Sequence, residues 1–180
     1  VVDGKILESR PLKVIADPEV VLTEAERKKL FDMAMELHEL QRRANEVAAG
    51  IAPLNTRLTE LSKEAASKSD LPADLKASVD TLQKDVAELA PKLAMPVFGG
   101  RGGGRGGGPA DSLVARLAQA KTALMGGMWP TEASMRAYAD SKAQLPKAMA
   151  DANVLFTRAA TLGSALAKHS LTLTAPTPIK

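Results

Sequence analysis

From position 30 to position 65 an apolar or small residue recurs at alternating steps of three and four: Leu30, Met33, Leu37, Leu40, Ala44, Val47, Ile51, Leu54, Leu58, Leu61 and Ala65. That alternation keeps one stripe on one side of an α-helix, so it specifies a single long helix with an a/d seam. The ladder holds its phase across Gly50 and Pro53, and the chain is expected to stay helical there with a kink instead of turning back. A long rod cannot bury its stripe alone. The expected fold class is therefore all-α, a scaffold built around partner helices.

Thr23, with Glu26 three residues on and Leu22 before it, forms a capping-box start for this first helix, which should run to Ser67, roughly 65 Å at the usual rise. Its e positions, Ala34, Gln41, Ala48, Asn55 and Ser62, are small or polar, so a second neighbour can approach one flank. A second helix follows Asp70 and Leu71, with Pro72 pre-organised for the first turn and a stripe of Leu75, Val79, Leu82, Val86, Leu89 and Leu93. A third opens with Asp111 as N-cap and carries Leu113, Leu117, Ala120 and Leu124 before Gly126 and Gly127. Thr131 caps a last long helix with the seam Met135, Tyr138, Lys142, Leu145, Met149, Ala152, Phe156, Ala159, Gly163 and Leu166, in which Lys142 and Gly163 are faults. The first and last helices are each on the order of 40 residues, and the middle two together match that length. The expected architecture is an antiparallel three-helix bundle with an interrupted middle helix. The alternative is a regular four-helix bundle, which would leave apolar overhangs on its outer pair.

The ends read differently. Val1, Val2, Ile6 and Leu7 flank an Asp3-Gly4 turn signal, and Leu12, Lys13, Val14 and Ile15 read as a short strand ending at Asp17-Pro18. Isolated hairpins are marginal, so residues 1–18 are expected to be a terminal β-strand fragment of a preceding domain, with the helical bundle spanning 19–170 and an extended tail over 171–180. Residues 95–110, rich in Gly with Arg101 and Arg105, read as a flexible insertion; two arginines without interleaved aromatics do not make a nucleic-acid segment. The absence of an initiating methionine points to a piece of a longer protein or a processed product.

Chemistry is thin in the sequence. A net charge of +3 is too small to imply a nucleic-acid partner, and the lack of cysteine removes disulfides and thiolate metal sites. No run of about 18 apolar residues suggests membrane insertion. His38 and His169 lack ligand-spaced partners, and Glu36 with Glu39 or Asp32 are carboxylates of a solvated helix face. No nucleophile elbow, phosphate loop or zinc-protease motif occurs. Catalytic residues, metal ligands and cofactors are therefore not expected. The residues singled out are apolar and off the seam: Phe31 at b and Met35 at f, which would dock the bundle onto the preceding domain, and Trp129, which is expected to plug the bundle end.

Pro11-Leu12-Lys13-Val14 leading into Ala16-Asp17-Pro18, Leu22-Thr23 opening a long helix and Trp129-Pro130-Thr131 opening another give an order of parts that resembles the C-terminal region of large bacterial sortilin-like, neuraminidase-type repeat β-propeller proteins, often labelled glycosyl hydrolases. In these the propeller is followed by an immunoglobulin-like or fibronectin-like module and a helical tail. The resemblance implies export to the periplasm or exterior, places any catalytic surface in the propeller outside this chain, and makes the preceding β domain or propeller of the same polypeptide the partner, with a homo-oligomer as a further possibility. The expected function is a non-catalytic accessory module for packing, spacing or oligomerisation. The alternative is an amphipathic helical domain binding a protein partner or a membrane surface, against which stands an aromatic content of 3%.

Overall fold

A computed structural model describes residues 10–15, 17–94 and 112–179. Among the described residues four helices follow in order, α1 (Glu24–Ser67), α2 (Ala73–Leu93), α3 (Leu113–Leu124) and α4 (Glu132–Leu166), and a 3-10 turn, Ala167–His169, extends the last. There is no strand among the described residues, so the fold is all-α. The Gly/Arg-rich stretch 95–110 and residues 1–9 lie outside the described residues. In the lead-in, Leu12, Val14 and Ile15 stand exposed, and no strand among the described residues pairs with them.

α1 begins on the expected capping box. Thr23 Oγ1 accepts from Glu26 N at 3.2 Å, and Glu26 Oε2 accepts from Thr23 N at 2.8 Å, which satisfies two donors that a helix start leaves open. The helix runs unbroken through Pro53, which is exposed, so the carbonyl freed by the missing N–H faces solvent. Every seam residue from Leu30 to Ala65 is buried except Leu40, which is half-buried. Pro72 is the N-cap residue of α2 and not its first helical residue, because its ψ of 141 is extended. α2 passes through Pro91, again on an exposed position, and stops at Leu93.

The cap of α3 differs from expectation. Ser112, not Asp111, is the N-cap, its Oγ accepting from Ala115 N at 3.0 Å; Asp111 lies outside the described residues. Thr131 caps α4 as expected, accepting from Ser134 N at 3.2 Å. Met125, Gly126 and Gly127 make the reversal between α3 and α4, with Gly127 at a φ of +77 that a side chain would strain.

The two flanks of α1 take different neighbours. On the e flank Ser62 Oγ donates to Asp80 of α2 at 2.6 Å, and Gln41 Oε1 accepts from Lys121 of α3 at 2.7 Å. α2 thus lies along the C-terminal half of α1 and α3 along its N-terminal half. On the g flank Glu36 meets Tyr138 and Lys142 of α4. α4 closes the core by touching both middle helices, through Arg116 to Gln144 at 3.1 Å and Arg158 to Asp85 at 2.6 Å. One hydrophobic core runs through all four helices, with Leu37, Leu58, Leu82, Leu117, Leu145 and Phe156 among its fully buried members. Burying each such side chain is worth about 1.5–3 kcal/mol, which is what holds helices of modest intrinsic stability in place.

Residues 171–179 form no regular structure, yet they are part of the bundle. Leu171 and Leu173 are 4% and 6% exposed and join the core. The expected extended tail is therefore a strap laid back over the α1–α4 seam.

Candidate docking surface

The first turns of α1 carry the off-seam residues Phe31 and Met35, which are 63% and 49% exposed. Their surroundings are built by three elements. The lead-in supplies Val20 and Leu22, the end of α3 supplies Lys121, Leu124 and Met125, and α1 adds Leu30 and Ala34 beneath; together they enclose a groove of about 580 Å³. Local hydrogen bonds shape the lead-in wall. Asp17 Oδ1 accepts from Glu19 N at 2.9 Å, Asp17 O from Val20 N at 3.1 Å, and the Arg27 guanidinium donates to the Leu22 carbonyl. At the rim Lys121 donates to Gln41 and lies 3.4 Å from His38 Nδ1.

Trp129 is not in this groove, and it does not plug the bundle. It is 46% exposed with the Lys29 ammonium 5.5 Å from its ring centroid, while the adjacent Pro130 is buried. The inward position at this corner belongs to the proline, so the indole is left on the surface, where a cation can sit over its face. Phe31 and Met35 are thus brought together, and Trp129 is set apart from them. All three nonetheless belong to one end of the molecule. Ten large apolar side chains stand exposed among the described residues, and all but Val154 come from the lead-in, the first turns of α1 or the α3–α4 reversal. Dispersed apolar exposure is ordinary, but concentration at one end marks an interaction surface. Helical periodicity does not mark Val21, Met125 and Met128; Met125 and Met128 adjoin a glycine turn, the one signal in the sequence that they would be left outside the helices.

The carboxylates and histidines of α1 and the C-terminal turn disperse. Asp32 pairs with Lys28 at 2.7 Å, and Glu39 pairs with Arg42 at 2.6 Å. Glu36 turns to the other flank, accepting from Lys142 Nζ at 2.8 Å and from the Tyr138 hydroxyl. The Lys142 hydrogen bond, then that of Tyr138, holds the Glu36 carboxyl below its ordinary range. Burial first, then the Glu36 bond, pushes the Tyr138 phenol up, and the Glu36 bond pushes the Lys142 ammonium up. All three shifts move away from neutrality, so the trio is a fixed ionic link between α1 and α4; a general acid or base needs a group poised near the working pH. Lys142, a fault in the apolar seam, is the cationic end of that link. His169 sits in the 3-10 turn, remote in sequence from His38, and its carbonyl accepts from Lys68 Nζ at 2.8 Å. Among the described residues no cluster of His, Cys, Asp and Glu could hold a metal ion, and no helix is long and apolar enough to cross a membrane. No protein-family model, curated protein or solved structure matches the chain.

Proposed function

We propose that this chain is a non-catalytic helical accessory module that docks onto a neighbouring domain of its own polypeptide and holds it at a fixed spacing. The observation that carries this reading is the gathering of exposed apolar side chains at the end where the lead-in joins α1. A neighbour preceding Arg10 leaves the chain beside that end, and the groove under Phe31 and Met35 offers it an apolar seat. In this reading α2 and α3 act as two halves of one rod between α1 and α4, an antiparallel three-helix bundle whose middle helix is interrupted. Rods packed in this way resist bending, which suits a spacer.

The same reading takes residues 1–18 as the last strand fragment of an immunoglobulin-like or fibronectin-like domain, in an exported protein of the sortilin-like propeller type, and places the module in the periplasm or outside the cell. Its support is the order of sequence parts and the exposed Leu12, Val14 and Ile15, apolar side chains that a preceding sheet would cover. Lys29, its ammonium over the Trp129 ring, favours a second reading, attachment to an anionic membrane surface. Hydrogen exchange over residues 28–38 tests the first. The amides should exchange at least about tenfold more slowly when the chain is joined to its preceding domain than in the 180-residue chain alone. Equal exchange in the two would remove the docking role, and protection brought about by anionic vesicles instead would transfer the surface to a membrane.

A further inference from the structure

The strap over residues 171–179 is held by contacts to its main chain. Lys68 Nζ donates to the His169 carbonyl at 2.8 Å where the strap begins, and Arg57 Nε donates to the Thr172 carbonyl at 3.0 Å. Asn153 closes a two-point clamp on Ile179, its Nδ2 donating to the Ile179 carbonyl at 2.7 Å and its Oδ1 accepting from Ile179 N at 2.9 Å. The Arg57 guanidinium is itself held in place, by Glu64 at 2.7 Å and Glu60 at 3.3 Å. Three side chain to main chain bonds on one extended segment, with a fourth on the turn that leads into it, are the means by which a groove recognises a peptide in a set backbone register.

The helices are relieved of bulk where the strap passes. A Cβ at Gly163 would collide with the Leu173 carbonyl oxygen, and one at Gly50 would come within 2.9 Å of Phe156 and 3.0 Å of Pro176. Both glycines lie inside helices, where glycine is otherwise unfavourable by about 1 kcal/mol relative to alanine. Leu171 and Leu173 supply the apolar anchors. The strap is joined to α4 through Ser170, which has a φ of 56 and is the non-glycine residue in the left-handed region among those described.

We propose that the α1–α4 seam is a peptide-binding groove that reads main chain, with residues 171–179 as its built-in ligand, exchangeable with the same segment of a second copy. The tethered segment competes with any free one at an effective concentration on the order of millimolar, so the groove is filled from within its own chain when dilute.

The test uses the full chain carrying Leu173→Asp, which spoils the strap's own anchor and leaves the groove intact, with a fluorescent synthetic peptide of residues 171–180 as probe. The peptide should bind this variant at least about tenfold more tightly than the unaltered chain, whose groove is occupied. Adding Gly163→Ala to the variant should abolish that binding, as should placing Leu173→Asp in the peptide. A folded Leu173→Asp chain that takes no peptide, or equal binding to all variants, overturns the proposal. Should the variant fail to fold, hydrogen exchange of the unaltered chain decides. An Ile179 amide that opens well before the Phe156 amide supports a separable ligand, whereas exchange of both only through global unfolding overturns it.

Discussion

Gly163 illustrates how a single position takes its meaning from a distant segment. Placing alanine inside an exposed helix normally stabilises by about 1 kcal/mol. Here the added methyl would displace the Leu173 carbonyl, and with it the burial of Leu171 and Leu173. Gly163→Ala is accordingly expected to destabilise the chain by about 1–3 kcal/mol in urea unfolding, the usual range for overpacking; a rise in midpoint would mean that the strap does not bear on α4. The seam arithmetic marked Gly163 as a fault because helical periodicity carries no information about an extended segment returning from beyond the helix end. Trp129 stands on the surface for a related reason. A large apolar residue at a helix boundary looks like a plug, but the corner turns so that its neighbour Pro130 is the one buried.

At the level of the elements, the a/d pattern of α1 was legible because every step of three or four holds over eleven successive positions, and the capping box fixed its start. Seam membership alone does not rank its residues. Leu54 is 2% exposed, whereas Leu40 is half-buried. Leu54→Ala should therefore cost about 2–5 kcal/mol and Leu40→Ala clearly less, by denaturant unfolding; equal losses would contradict the packing of α1. The link from α1 to α4 through Glu36 could not be read from the sequence, since it depends on which flank each helix presents. Because hydrogen bonds from Lys142 and Tyr138 lower the folded-state pKa of Glu36, its contribution is present above the unfolded carboxylate value of about 4.3 and is lost as pH falls through the lower folded value. Glu36 is partly open to solvent, so the effect is modest. The urea midpoint of the unaltered chain should drop further between pH 5 and pH 3 than that of Glu36→Gln, on the order of the linkage expected for one carboxylate. Parallel pH profiles would show that the link carries no stability.

For the whole molecule, the number and order of helices followed from periodicity and caps, but the strap and the one-ended apolar surface did not, since both arise only when separate segments meet. The feature on which everything else depends is that the seams close within one chain, with α2 and α3 on one flank of α1 and α4 on the other. Seams of the same pattern could in principle close between chains, as in coiled coils. Light scattering over a range of concentrations tests this directly on the Phe31→Asp variant, in which the exposed apolar end is made polar so that it cannot mask the result. At concentrations well below the roughly millimolar effective concentration of the strap, a folded monomer of about 18.9 kDa is expected. A dimer that dissociates only together with loss of helix would mean that the seams pair between chains, and would contradict the single-chain bundle.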